Sequence, residues 1–300
     1  MELRVLRYFL AVAREGSMTK AANLLHVTQP TLSRQLKELE GKLGKELFTR
    51  KSHSIELTEE GILLRNRAEE IIDMVGKVEE EFKSMEDTVA GDVYIGCGET
   101  EAMRLIAVIV KQLREKYPHI KFHLYSGNSE DVTKQLDNGY LDFGILIEPA
   151  DLSKYNYITL PAKDVWGVVM RKDSPLANKK AINKEDLLKV PILASRQAIE
   201  TDLSRNEFAE WFGEDFEKIN ISATYNLMYN AAIMVEEGIG YAVTIDKVAG
   251  TSNTNNLCFR PLEPRLESGL DIVWRKHQVF SKAANIFLEA LQEAFEDREV

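Results

Sequence analysis

Thr28-Gln29-Pro30-Thr31-Leu32-Ser33-Arg34-Gln35-Leu36-Lys37-Glu38-Leu39-Glu40-Gly41-Lys42-Leu43 is the stretch around which the chain is organised. Leu32, Leu36, Leu39 and Leu43 recur at intervals of four, three and four, so on a helix they gather into one apolar stripe. At about 100° per residue, Pro30, Ser33, Arg34 and Lys37 fall on the opposite face, which is short-armed and basic near its start. Thr28 is placed to cap this helix, and Pro30 stands in the first turn, where a missing amide hydrogen breaks no intrahelical bond. The first two turns are free to touch another molecule.

The preceding segment decides between an ordinary core helix and something more. Ser17-Met18-Thr19-Lys20-Ala21-Ala22-Asn23-Leu24-Leu25 reads as a second short helix capped by Ser17, and only His26-Val27 separates it from Thr28. Small Ala21 and Ala22 let the two helices cross closely, which makes the pair a helix-turn-helix candidate whose second helix enters the DNA major groove. His26 stands in the turn where Gly is more usual. Leu3 to Ala13 supplies a supporting helix with a broad apolar face.

The run from Ala21 to Leu36, followed by Leu39-Glu40, Leu43-Gly44, Leu47-Phe48-Thr49-Arg50 and Leu57-Thr58-Glu59-Glu60-Gly61, resembles the N-terminal winged helix-turn-helix of the LysR-type transcriptional regulators. Two positions depart from that pattern: His53 stands in the wing where many members carry Arg, and Glu60 where many carry Ala. The resemblance implies α/β architecture with an N-terminal all-α winged helix-turn-helix, a long linker helix and a bilobal, periplasmic-binding-protein-like effector domain. The expected division is 1–58 for the DNA-binding head, 59–89 for the linker and 91–300 for the effector domain. Lobe 1 would take 91–160 with 267–300, and lobe 2 would take 161–266.

Composition fits that division. A chain of 300 residues with 44% hydrophobic content suits two or three compact domains with an ample core. No apolar run approaches the roughly 18 residues of a membrane span, and Met1 to Ala13, with Glu2, Arg4 and Arg7, does not read as a signal peptide, so a cytoplasmic protein without membrane contact is expected. The net charge of -10 is unequally spread. Up to Thr58, ten Lys and Arg face six Glu, giving +4 and leaving -14 on the rest. A basic head on an acidic body is compatible with DNA contact through one end only, local and strongly salt dependent.

Within the head, Phe48 to Leu57 reads as a small wing with a polar tip at Lys51-Ser52-His53-Ser54, so Arg50 and Lys51 lie where a wing would reach the phosphate backbone. Arg34 is the better base reader, because guanidinium addresses guanine O6 and N7 together, and Gln29 could pair with adenine. Thr31 and Ser33 suit a phosphate or a base. With Ser17, Thr28, Pro30 and Lys37, these make up the candidate DNA contacts.

From Glu59 a long helix begins, its first residues acidic as suits the positive end of a helix dipole. Leu64, Ala68, Ile71, Val75, Val78, Phe82 and Met85 alternate steps of four and three, a heptad seam held for three repeats. A seam that regular needs a partner, and pairing answers a physical need, since a dimer reads two half-sites about 34 Å or a multiple apart. The resemblance implies a homodimer or a tetramer.

After Ala90-Gly91 strands alternate with helices: 92–97, 120–125, 141–146, 165–170, 192–193, 219–222, 241–243 and 269–274 read as strands, and 103–117, 132–138, 201–212, 227–236 and 281–296 as helices. That alternation argues for α/β units with a largely parallel sheet. A small molecule would bind between the lobes at the carboxyl ends of strands.

Gly96-Cys97-Gly98-Glu99-Thr100-Glu101 is a strand-to-helix turn matching the family's principal effector loop, and Thr100 matches the hydroxyl residue members often use. Glu99 and Glu101 place carboxylates where amide hydrogens would otherwise favour an anion, so the expected effector carries an amine or several hydroxyls, unless Arg196 neutralises the loop. Gly98, Glu99, Thr100, Glu101, Ile147, Glu148, Ser195, Arg196, Tyr225 and Asn226 are the candidate effector residues. Arg196 leads those beyond the loop, because it can clamp a ligand oxygen bidentately.

Enzyme signatures are thin: there is no Gly-x-Ser-x-Gly elbow, no Walker loop and no His-Glu-x-x-His. His119 and His123 lack adjoining ligands for a metal, and no cofactor is expected. Trp166, Trp211 and Trp274 read as packing residues, and Cys97 and Cys258 as reduced thiols. The expectation is a sequence-specific DNA-binding regulator modulated by a small-molecule effector, with no catalytic residues. The rival from another class is a solute-binding or enzymatic α/β protein with an appended helical dimerisation head.

Overall fold

The computed structural model describes residues 1–50, 55–83, 89–199, 207–248 and 256–295. The chain forms two compact units, 1–85 and 86–300.

The first unit runs α1 (Leu3–Glu15), α2 (Met18–Leu24), α3 (Gln29–Leu43), β1 (Phe48–Arg50), β2 (Ile55–Leu57) and α4 (Glu59–Lys83). Its core joins Leu6, Phe9 and Val12 of α1, Ala21 and Ala22 of α2, and Leu32, Leu36 and Leu39 of α3, with Leu47 and Ala68. The side chains of Ser17 and Thr28 cap α2 and α3, accepting from the Lys20 and Thr31 amides. Gly16 and Gly44 end α1 and α3 in the left-handed conformation that glycine adopts without a Cβ clash. The expected stripe loses its last member: Leu43 is 45% exposed, because the final turn of α3 runs past the core.

His26 sits in the turn at φ 54° with its side chain exposed, so no packing visibly offsets the left-handed backbone. His26→Gly is expected to raise head stability by about 0.5–1 kcal/mol, since relief of a left-handed penalty of about 1–2 outweighs the added chain entropy. Urea titration followed by far-ultraviolet circular dichroism checks this, and a lowered midpoint would reject it.

The second unit is two α/β lobes. Lobe 1 contains β3 (Ala90–Cys97), α5 (Met103–Lys116), β4 (His119–Ser126), α6 (Ser129–Asp137), β5 (Phe143–Ile147) and β6 (Tyr155–Thr159). Lobe 2 contains β7 (Asp164–Arg171), α7 (Lys184–Leu187), β8 (Ile192–Ser195), α8 (Arg196–Ile199), α9 (Glu207–Phe212), β9 (Ile221–Tyr225), α10 (Met228–Glu236), β10 (Tyr241–Ile245), β11 (Leu257–Pro261) and β12 (Glu267–Ser268). The chain then returns to lobe 1 as β13 (Leu270–Arg275) and α11 (Lys282–Phe295).

Lobe 1 has strand order β4-β3-β5-β13-β6, and lobe 2 has β11-β7-β10-β8-β9 with β12 on β7. Both sheets are mixed rather than largely parallel. β13 runs antiparallel to β5 and β6, and β7 runs antiparallel to β10 and β11, because these strands carry the chain from one lobe to the other and back. The sequence reading overlooked β6, β11 and β12, and placed β9 two residues early. β12 belongs to the lobe 2 sheet, so lobe 1 resumes at Leu270 rather than at residue 267.

The crossings are tied together. The Leu160 amide donates to the Leu270 carbonyl at 2.8 Å. Glu148 grips Gly269 twice: its amide donates to the Gly269 carbonyl at 3.0 Å, and its carboxylate accepts the Gly269 amide at 3.1 Å. Among the described residues no helix is long and apolar enough to cross a membrane.

Candidate nucleic-acid interface and effector cleft

The amphipathic pattern of α3 leaves its first two turns uncovered. Gln29, Pro30, Thr31, Arg34 and Lys37 are exposed, while Ser33 is half-buried. The Thr28 and Thr31 hydroxyls share a hydrogen bond of 2.8 Å, which fixes the start of the helix. The Arg34 side chain is 72% exposed and held only by a distant pairing with Glu38 at 3.8 Å, so it can reach a base edge at little cost. The Ser17 hydroxyl is occupied as the α2 cap. The hairpin β1–β2 pairs Phe48 with Leu57 and Arg50 with Ile55, as a wing requires. Lys51 and the rest of the wing tip lie outside the described residues, as does the Arg50 side chain. Glu60 pairs with Lys45 at 3.2 Å, and its own backbone amide, with that ammonium, holds its carboxyl below the usual range.

The expected linker seam divides. Leu64 packs on the core of the head and Ala68 is fully buried within it, so both are spent inside the protomer. Ile71 is 37% and Val78 45% exposed, and Val75 is half-buried, which leaves the middle of α4 apolar and uncovered. The Phe82 side chain and Met85 lie outside the described residues.

Between the two lobes lies a cavity of about 790 Å³, counting its open mouth. Of the residues expected there, Gly98, Glu99, Ile147, Glu148, Ser195, Tyr225 and Asn226 line it. Thr100, Glu101 and Arg196 do not. Thr100 folds back to cap the following turn, accepting the Ala102 amide at 3.0 Å, and lies beside the Asp164 carboxyl. Glu101 pairs with Arg104 at 2.7 Å. Arg196 opens α8 and is exposed, so one residue of helical rotation sends its neighbour Gln197 into the cavity instead.

Side chains of both lobes reach across this cavity. Gln197 Nε2 donates to the Ile147 carbonyl at 3.1 Å, and Glu99 Oε2 accepts the Met228 amide at 2.5 Å at the start of α10. Tyr225 donates its hydroxyl to the Val243 carbonyl, and burial pushes its acidity far out of the physiological range, so it faces the cavity as a neutral phenol. Trp166, read from sequence as packing, lines the cavity with its indole nitrogen donating to the buried Ser268 hydroxyl at 2.8 Å.

Asn128, Ser129, Gln197, Phe208 and Thr244 were missed by the sequence reading. Asn128 and Ser129 carried a usable signal: a helix cap directly after a strand, at the carboxyl end where ligands of open α/β sheets bind. Phe208 and Thr244 carried none. Behind the cavity, Asp164 is buried with Oδ2 lacking a partner among the described residues, and burial pushes its carboxyl up. Cys97 is a core residue of lobe 1, and burial raises its thiol, which disfavours the reactive thiolate.

The geometry of head and lobes has known counterparts. Residues 3–62 match the family model for the bacterial regulatory helix-turn-helix protein, lysR family, and residues 86–296 match the LysR substrate binding domain. The chain is 26% identical over 297 residues to the uncharacterized HTH-type transcriptional regulator YvbU of Bacillus subtilis, covering 98% of this chain and 99% of that one. It is 27% identical over 303 residues to a probable RuBisCO transcriptional regulator of Cyanophora paradoxa, covering 98% and 92%. In fold it is similar to full-length CbnR in complex with its target DNA, with TM-score 0.70 and 19% identity over 98% of this chain and 100% of that one. With one family model spanning the head and the other most of the remaining chain, this protein belongs to the LysR family of helix-turn-helix transcriptional regulators, and carries that family's DNA-binding and substrate-binding domains.

Proposed function

We propose that the protein reads promoter DNA as a homo-oligomer through α3 and its wing, and that a small molecule held between the two lobes modulates this binding. The observation that carries the DNA reading is the uncovered first half of α3 with Arg34, opposite the buried Leu32, Leu36 and Leu39. CbnR, a protein of the same fold, has been solved on its target DNA, which supports the same use here. The exposed apolar middle of α4 supports self-association. One recognition helix contacts few base pairs, and two held at a fixed span read two half-sites.

The interlobe cavity supports effector control. A ligand shifts a conformational equilibrium only by as much as its affinity differs between the two states. Ligand contacts that strengthen or replace the Glu99–Met228 and Gln197–Ile147 bridges would favour one lobe arrangement over another, and so change how paired heads are presented.

Arg34→Ala is expected to lower affinity for the specific site by about 1–3 kcal/mol with the fold intact. Fluorescence anisotropy on a footprinted promoter fragment measures this, and unchanged affinity would remove Arg34 from the base contacts. A protomer that sediments alone at micromolar concentration would reject the oligomer.

A further inference from the structure

We propose that the ligand of the interlobe cavity is a small organic cation, an amine or guanidine whose charged group lies against Glu99 and Glu148 and whose apolar part rests on Trp166 and Phe208. This deepens the reading of the cleft as the effector site and depends on it. Among the described residues three carboxylates, Glu99, Glu148 and Glu207, reach the cavity wall, and no Lys, Arg or His does. Arg205, two residues before Glu207, lies outside the described residues; the described cations near the wall in sequence are engaged or turned away. Arg104 pairs with Glu101 at 2.7 Å, Lys247 with Asp246 at 3.5 Å, and Arg196 is exposed off the wall. Lys154 lines a neighbouring depression rather than the cavity itself.

The start of α10, one feature of the wall that favours an anion, is already filled. α10 starts without a side-chain cap of its own, and the positive end of its dipole is met by the Glu99 carboxylate on the Met228 amide. A carboxylate ligand would have to displace Glu99 and then lie near Glu148, with no basic side chain among the described residues of the wall. In a partly enclosed site that repulsion is less screened than in water.

An ammonium or guanidinium meets the opposite situation. Glu99 and Glu148 each hold a backbone amide through Oε2, and among the described residues Oε1 takes no other hydrogen bond, which leaves it to accept N–H groups from a ligand. Trp166 and Phe208 stack with centroids 5.7 Å apart, and the Ser268 hydroxyl sets the indole orientation. Aromatic faces attract cations and bury alkyl or aryl segments equally well.

The test uses the full chain labelled with 5-fluorotryptophan, whose three fluorine signals include Trp166 on the cavity wall, assigned through Trp166→Phe. The probes are 1,4-diaminobutane and phenethylamine against the acids of matching skeleton, adipate and 3-phenylpropanoate. The amines are expected to move the Trp166 signal and to bind at least about tenfold more tightly than their acid counterparts. Glu148→Gln and Glu99→Gln keep an acceptor for the backbone amide while removing the charge, and each is expected to weaken amine binding about tenfold. Preference for the acids, no binding by any of the four, or amine binding indifferent to both substitutions overturns the cation proposal. Saturable binding seen by calorimetry without movement of the Trp166 signal places the ligand elsewhere, and overturns the cleft reading itself.

Discussion

Phe143→Ala is expected to lower the stability of the effector domain by about 3–5 kcal/mol. Phe143 is fully buried in β5, stacked on Phe280 with ring centroids 5.0 Å apart, edge-on to Phe287 at 5.1 Å and near Trp274 at 6.2 Å. Its neighbours are rings on separate elements, β13, α11 and the segment between them, so they cannot collapse together into the space a benzyl group leaves. The loss is therefore a transfer term plus a cavity term. Urea unfolding followed by tryptophan fluorescence reads it directly, because all three Trp lie beyond residue 86. A shift below about 1 kcal/mol would mean that the cluster closes over the gap.

Gly61→Ala is expected to remove about 2–3 kcal/mol from the head. A Cβ at Gly61 would stand 2.1 Å from the Leu47 carbonyl oxygen, a separation no relaxation of a side chain can relieve, since the obstacle is backbone. That peptide is held from both sides: the Leu47 amide donates to Glu40 at 2.8 Å and the Leu47 carbonyl accepts the Thr58 amide at 3.1 Å. The better helix propensity of Ala, about 1 kcal/mol, is the smaller effect. The helical signal and promoter binding should be lost at lower urea, while the tryptophan transition stays where it is in the unaltered chain. A tryptophan transition displaced as far as the helical one would show that the two units do not unfold independently.

The head was legible because each of its signals is local. The stripe of Leu32, Leu36 and Leu39 alone specifies which side of α3 is buried, and thereby which side carries Arg34. Capping by Ser17 and Thr28 follows from residue type and position, and needs no knowledge of the fold. The linker marks where this reasoning weakens. A heptad seam states that a partner exists, yet Leu64 and Ala68 find theirs in their own head, because periodicity does not choose between one's own core and a second copy.

The interlobe cavity was legible to the level of loops and no further. Seven of the ten expected residues line it, yet Thr100, Glu101 and Arg196 miss it by local turns of backbone that sequence spacing does not resolve. Glu99 shows the limit most plainly, since its carboxylate is placed by an amide 129 residues away.

By itself the sequence determined the class of the protein, the exposed face of α3, and most of the strands and helices, because these depend on residues a few positions apart. Tertiary structure alone decided which strands pair antiparallel at the crossings, that Trp166 turns its indole to Ser268 from 102 positions away, and that the cavity wall holds carboxylates with no basic side chain among the described residues. Those features arise where distant segments meet. Their energies belong to pairs of residues that no local pattern brings together.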